Sequence, residues 1–230
     1  MVDAAPELAM KEVKTTCPYC GVGCGVLATT DGRRITAVRG DPEHPANFGR
    51  LCTKGTTLHL TTTPYGRVLQ PEMRTSRDEA RTRVSWDVAL DALVEKFAAT
   101  IATHGPDSVG FYISGQLLTE DYYVFNKLVK GLIGTNNIDT NSRLCMSSAV
   151  AGYKATLGAD APPACYDDLN HAQVVVIAGS NAAWAHPVLY RRLEDAKGKN
   201  PSLKVVCIDT RRTETARAAD MHLMFLRGTY

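Results

Sequence analysis

The sequence predicts an α/β protein in which a small β-module carrying clustered cysteines precedes a mostly parallel α/β sheet domain. Three observations predict it. Cys17, Cys20 and Cys24 lie within eight residues, and Cys52 joins them after a 27-residue excursion. From residue 85 onward, helical spacings alternate with continuous apolar runs such as residues 173–178, the pattern of parallel strands covered on both faces. The 230 residues, 44% hydrophobic and 22% charged, are ordinary for one or two soluble domains.

Residues 1–15 read as a loosely held arm, residues 16–62 as the cysteine domain and residues 63–230 as the α/β domain. Within 16–62, residues 26–30 and 35–38 are short strand-like runs, and Asp31-Gly32 between them is a hairpin signal because glycine accepts positive φ. Gly40-Asp41-Pro42 ends the second run, and a polar loop returns to Cys52. So little apolar residue content cannot fold such a module alone, so bound metal supplies much of its stability.

Residues 63–84 read as a connecting segment. Ser85 then caps a helix whose Trp86, Ala89, Leu90, Leu93, Val94, Phe97 and Ile101 share one face, and Gly105-Pro106 stops it. A strand at 109–113, a helix capped by Thr119 and running to about 132, and a glycine- and asparagine-rich turn at 134–141 follow. A helix at 147–156 closes at Pro162-Pro163. A strand at 173–178, a helix at 187–196, a strand at 204–208, a short helix and a last strand at 222–226 complete the reading.

Four thiols suit an iron–sulfur cubane, since soft sulfur satisfies iron and a Cys-x2-Cys-x3-Cys run can wrap three corners. Glycines 21, 23 and 25 let the backbone turn tightly and aim N–H groups at the cluster. Zinc is the competing reading, although Cys52 lacks the partner two residues away that a zinc knuckle carries. Four unrelated buried thiols are the bland alternative.

In the α/β domain, ligands collect at the carboxyl ends of strands. Ser114-Gly115-Gln116, Gly179-Ser180-Asn181 and Asp209-Thr210-Arg211 leave such ends, with small residues for close approach and amides or charges for a polar ligand. Each is also an ordinary strand-to-helix turn. No Gly-x-Gly-x-x-Gly or phosphate-loop signature is present. Cys145, read as a thiol at a helix N-terminus beside Arg143, suits metal ligation or nucleophilic attack, against the alternative of a buried free cysteine. Lys54 is a surface lysine by default; fixed beside a cluster, it would favour the reduced form and could bridge to an anionic cofactor. Cys207 reads as core, and Cys165 and the scattered histidines have no role.

A formal charge of +2 points to no nucleic acid or charged membrane surface, and no apolar run approaches 18 residues, so no membrane span is expected. The first 16 residues carry no twin arginine, apolar core or cleavage site, and seven cysteines then read as thiols and metal ligands in a cytoplasmic protein.

The run from Cys17 to Cys24 with Gly49-Arg50-Leu51-Cys52-Thr53-Lys54-Gly55 resembles the opening of the molybdopterin oxidoreductases. Residues 114–123 with 141–150 look more narrowly like the catalytic subunits of bacterial assimilatory nitrate reductases. That resemblance, from Thr16 to about Arg227, implies an incomplete molybdopterin oxidoreductase fold. It implies a 4Fe–4S cluster on Cys17, Cys20, Cys24 and Cys52, and Mo-bis(molybdopterin guanine dinucleotide) with Cys145 as the molybdenum ligand. Lys54 would stand between cluster and pterin on the electron path. Gln116, Asn141, Gly179, Ser180, Asn181, Asp209 and Arg211 would contact the cofactor. The implied reaction is reduction of nitrate to nitrite by oxygen-atom transfer, with ferredoxin, flavodoxin or an NADH-oxidising subunit as electron donor. A cytoplasmic formate dehydrogenase of the same family is the alternative; those enzymes usually place histidine after the metal-binding residue, where this chain has Met146. An electron carrier using only the cluster is the other. Because family members are longer and commonly read Arg-Pro-Gly-Thr-Asp where this chain reads Arg227-Gly228-Thr229-Tyr230, a truncated or frameshifted product with little turnover of its own is expected.

Overall fold

The computed structural model describes residues 9–161 and 163–229. A three-stranded antiparallel sheet opens it: β1 (Lys11–Thr16), β2 (Gly25–Thr30) and β3 (Ile35–Gly40), in that order. β1 corrects the expectation of a loose arm, since Lys11 to Thr16 pair in register with Thr30 to Gly25. The Asp31-Gly32 hairpin forms as read. Asp31 Oδ1 accepts the N–H groups of Arg33 and Arg34 at 2.8 Å each, and Gly32 takes φ 88°. A short helix, α1 (Thr53–Thr56), follows the last of the four clustered cysteines.

The segment expected as plain connection carries a two-stranded hairpin, β4 (Glu72–Met73) against β5 (Thr82–Arg83). Then α2 (Trp86–His104) starts where Ser85 Oγ accepts the Val88 N–H and stops at Gly105, φ 82°. β6 (Phe111–Ile113) leads into α3 (Thr119–Asn126). Thr119 is the first helical residue rather than the cap; the Asp121 carboxylate accepts the Leu118 N–H instead. The coil continues in a wider i→i+5 turn over Lys127–Ile133. The supposed turn at 134–141 contains β7 (Ile138–Thr140), parallel to β6.

Two helices then follow, α4 (Ser142–Cys145) and α5 (Ser147–Leu157). Gly158, φ 80°, ends α5 ahead of the two prolines credited with it, of which Pro162 lies outside the described residues. β8 (Val174–Ala178), α6 (Ala182–Ala185), α7 (Pro187–Lys199), β9 (Lys204–Ile208), α8 (Glu214–Ala218) and β10 (Met221–Leu223) complete the chain. β8, β9 and β10 form a parallel sheet in the order β10-β9-β8, separate from β6-β7.

The expectation of strands covered on both faces fails in an informative way. On one face of the second parallel sheet, Val175, Ile177 and Val205 pack with Tyr190, Leu193 and Ala196 of α7. On the other, Val174 and Val176 are 56% and 58% exposed, beside exposed Met221 and Leu223. The apolar stripe of α2 is likewise open at Leu90, Leu93 and Val94. Apolar runs in a parallel sheet mark faces that need cover, and among the described residues nothing covers this one. The accessible surface, 16816 Å² for 25.0 kDa, agrees, since a compact monomer of this mass exposes about 10,000 Å².

Candidate functional site

Residues 17–24 form a loop between β1 and β2, closed by the Cys17 N–H on the Cys24 carbonyl at 2.9 Å and turned at Gly23, φ 61°. Cys17 and Cys24 are buried in a small core with Val26, Leu51 and Val188; Cys20 and Cys52 are half-buried. All four thiols lie within electrostatic reach of Cys17 and Cys24. Burial is the main cause that raises the Cys17 thiol above its ordinary value and pushes Cys24 up to about 11, with the neighbouring thiols adding to it. Lys54 pulls Cys17 the other way, and its ammonium lies 5.7 Å from the centre of the Tyr19 ring.

This donor set fits an iron–sulfur cluster. Four soft sulfurs lie in one small module, three of them acting electrostatically on the fourth, and their proximity raises the cost of ionisation that a cationic metal would repay. Among the described residues, no three His, Cys, Asp or Glu side chains converge to hold a single metal ion. A cubane spreads its thiolates over four corners, so it makes no such demand.

A residue that sequence reading missed binds the two halves of this site together. Asn47, fully buried, accepts the Gly25 N–H at 2.8 Å and donates to the carbonyls of Gly25 at 3.1 Å and Arg50 at 2.8 Å. It thereby joins the residue after Cys24 to the segment entering Cys52. Gly25 must be glycine for this approach, since a Cβ there would stand 2.3 Å from the His44 side chain. The only sequence signal was a turn-forming Asn ahead of Phe48 and Gly49, which gives no hint of a partner 22 residues back.

The three loops proposed as ligand sites do leave carboxyl ends of parallel strands, but in two groups. After β6, residues 114–116 face the end of β7: Asn141 Oδ1 accepts the Gly115 N–H at 2.5 Å, and a Cβ on Gly115 would stand 2.6 Å from that oxygen. Gln116 is exposed, its N–H held by Ser114 Oγ at 3.1 Å. Cys145 belongs to this group, its N–H on the Asn141 carbonyl at 3.3 Å. It stands two residues ahead of α5, which opens at Ser147 as expected, but it is also the last residue of α4, a short helix that the sequence reading did not foresee. Its exposed Sγ meets the Ser142 carbonyl at 3.6 Å, so it is no enclosed core thiol. Cys207 is fully buried, as read.

The second group lies at the ends of β8 and β9. Gly179 continues the pairing onto the Ile208 carbonyl at 2.8 Å, with half-buried Ser180 and Asn181 following. Thr215, fully buried on α8, donates to Asn181 Oδ1 at 2.9 Å and accepts the Ala183 N–H at 3.0 Å, which fixes the Asn181 amide. Asp209 is buried, accepts the Arg211 N–H at 3.0 Å, and has His222 Nε2 at 3.1 Å from its carbonyl; Arg211 is exposed. The cysteine loop reaches the first group directly, since a Cβ on Gly21 would lie 3.6 Å from the Leu117 carbonyl.

Comparison with known proteins supplies the family. The molybdopterin oxidoreductase Fe4S4 domain matches residues 10–63, and the molybdopterin oxidoreductase domain matches residues 67–230. A nitrate reductase of Klebsiella oxytoca is 56% identical over 220 residues, which are 96% of this chain and 25% of that protein. A nitrate reductase of Symbiobacterium thermophilum is 48% identical over 217 residues, 94% of this chain and 28% of that protein. A periplasmic nitrate reductase of Desulfovibrio desulfuricans is 46% identical over 226 residues, 98% of this chain and 30% of that protein. The chain thus spans about a quarter to a third of the length of these relatives. The solved structure of acetylene hydratase from Pelobacter acetylenicus superposes with a TM-score of 0.66 at 24% identity, covering 92% of this chain and 29% of that one, and so shares the fold. A cysteine-bearing β-module joined to parallel α/β sheets, matched domain by domain along its length, makes this chain a member of the molybdopterin oxidoreductase family.

Proposed function

We propose that this chain carries the 4Fe–4S centre and part of the cofactor cradle of a molybdenum nitrate reductase of the assimilatory type. The observation that carries the reading is 56% identity to a nitrate reductase along nearly the whole chain, with all four thiols inside the stretch that the Fe4S4 domain matches. Cys17, Cys20, Cys24 and Cys52 would hold the cluster, and Cys145 would ligate molybdenum. Gln116, Asn141, Gly179, Ser180, Asn181, Asp209 and Arg211 would bind the pterin guanine dinucleotides. When bound, the two groups would supply electrons and the chemistry that accepts one oxygen atom from nitrate, leaving nitrite.

The chain's own residues position and tune. Asn141 ties the β6 loop to the segment bearing Cys145, so the loop and the thiol move as one. Thr215 holds the Asn181 amide so that its NH2 group is left to donate. Lys54, within reach of Cys17, favours a more negative, reduced cluster and would lie between cluster and pterin.

The electron donor is proposed to be a ferredoxin, a flavodoxin or an NADH-oxidising subunit. Cytoplasmic residence belongs to the same proposal. It is supported by seven cysteines that are all unpaired, and with a periplasmic relative in view, cell fractionation decides it. Among the described residues, no helix is long and apolar enough to cross a membrane.

The test joins this chain to the remaining segments of its Klebsiella relative and measures iron, molybdenum, and viologen turnover with nitrate and with formate. Nitrate-dependent oxidation of reduced viologen with both metals present is expected. Formate turnover without nitrate turnover would replace the reading with a dehydrogenase, and iron without molybdenum would favour an electron carrier.

A further inference from the structure

The segment that delivers Cys52 is gripped from outside its own module, by a helix of the α/β domain. Arg191 and Arg192, adjacent on α7, reach back some 140 residues to it. Arg191 Nη1 donates to the Leu51 carbonyl at 3.1 Å, immediately before Cys52. Arg192 Nη2 donates to the carbonyls of Pro45 at 2.8 Å and Ala46 at 3.0 Å. Its guanidinium sits 4.9 Å from the Phe48 ring centre and 5.1 Å from that of Tyr166, with Asp167 at 3.9 Å. One turn further along α7, Asp195 pairs with Arg50. Val188, at the start of the same helix, enters the core around Cys17 and Cys24.

We propose that Arg191 and Arg192 are positioning residues for the iron–sulfur cluster, holding the Cys52 segment at the corner that the other three thiols leave open. The inference rests on the reading of the four cysteines as cluster ligands.

The grip is needed because the segment is conformationally costly. Phe48 has φ 44°, the one described non-glycine residue with positive φ, and bulky side chains disfavour that region. Asn47 restrains the segment from the inner side through β2, and the two guanidiniums restrain it from α7. Lysine is no substitute at position 192. A planar fork can donate twice and lie between two rings, while an ammonium is a hydrated point charge.

The experiment loads the 230-residue chain anaerobically with ferrous and ferric iron in equal amounts and with sulfide, the stoichiometry of [4Fe–4S]2+, then treats it with ferricyanide as one-electron oxidant. Oxidation of [4Fe–4S]2+ gives [3Fe–4S]+ with release of one Fe2+, and the product is paramagnetic where its precursor is silent. Arg192→Met, Arg192→Lys and Arg191→Met should each give the three-iron signal about tenfold faster than wild type, since hydrogen bonds from a charged group to the backbone are lost. Val129→Ala removes a fully buried side chain outside α7 and should stay near the wild-type rate. Folded arginine variants within twofold of wild type, or equal acceleration by Val129→Ala, would overturn the inference. If Arg192→Met does not fold, Arg192→Lys and Arg191→Met decide by the same rule. A wild-type chain that takes up no iron and sulfide overturns the ligand reading itself, and the inference with it.

Discussion

Removing the Asn47 side chain is the sharpest probe of how the cluster site is held. In Asn47→Ala, the buried Gly25 N–H loses its acceptor, and the Arg50 carbonyl loses a donor. The Gly25 carbonyl keeps a partner, the Asp41 N–H at 2.9 Å. An orphaned buried N–H costs about 1–3 kcal/mol and a lost hydrogen bond about 0.5–1.5 kcal/mol, which gives roughly 3 kcal/mol in all. For a chain of this size that corresponds to a drop in Tm of about 6–12 °C. The assay is thermal unfolding of the iron-free chain followed by circular dichroism. Asn47→Asp supplies the control, because it keeps the acceptor for Gly25 but turns the donor into a carboxylate facing two carbonyls. Burial would raise the pKa of that carboxyl, so its protonated form is the one the fold tolerates. Relative to Asn47→Ala, the Asp variant should therefore weaken as pH rises through and above the ordinary carboxylate value. A loss below 1 kcal/mol in Asn47→Ala, or Asp and Ala variants with the same pH dependence, would refute the accounting.

Three other outcomes follow from the same structure. Cys145→Ala, in the chain joined to the remaining segments of a relative, should abolish nitrate reduction while the cluster's visible absorbance stays; retained activity would take Cys145 out of the metal's shell. Lys54→Met should lower kcat with a smaller effect on KM for nitrate, because the proposal puts the lysine on the electron path rather than at the substrate; steady-state kinetics with the reverse split would remove that role. Asp220 is held below its ordinary value of 3.8, first by the Lys197 ammonium and then by the Val205 N–H. A depressed carboxylate contributes stability in full above that ordinary value and loses it as pH falls toward the folded value. Acid unfolding followed by circular dichroism should accordingly flatten below pH 4 in Asp220→Asn.

Local rules were legible and distant partners were not. Ser85 and Gly105 bound α2 as read, and Asp31-Gly32 turned β2 into β3, because each acts through groups a few residues away. The four thiols were readable for the same reason, since three of them lie on one loop. β7 was missed because three residues among glycines and asparagines carry no period, and its pairing with β6 is what makes it a strand. Thr119 looked like a cap, but Asp121 reached the Leu118 N–H first. Asn47, Arg191, Arg192 and Thr215 were invisible as site residues because their partners are 22 to 147 residues away or on another element.

The placement of α7 explains how so small a cysteine module can hold four thiols in place. Three strands and one short helix bury few apolar side chains, and a loop with a bulky residue at positive φ adds strain. Such a module would have to be ordered by its metal alone. Here α7 contributes on two sides at once. Tyr190, Leu193 and Ala196 seat it on the second parallel sheet, while Val188, Arg191, Arg192 and Asp195 face the cysteine module. One rigid helix therefore transmits the order of the sheet to the Cys52 segment, and the sheet's own strand ends carry Asn181 and Asp209. Distances between two redox centres stay constant only if their supports share a rigid element. In this chain α7 is that element for the cysteine module and the β8-β9 loops.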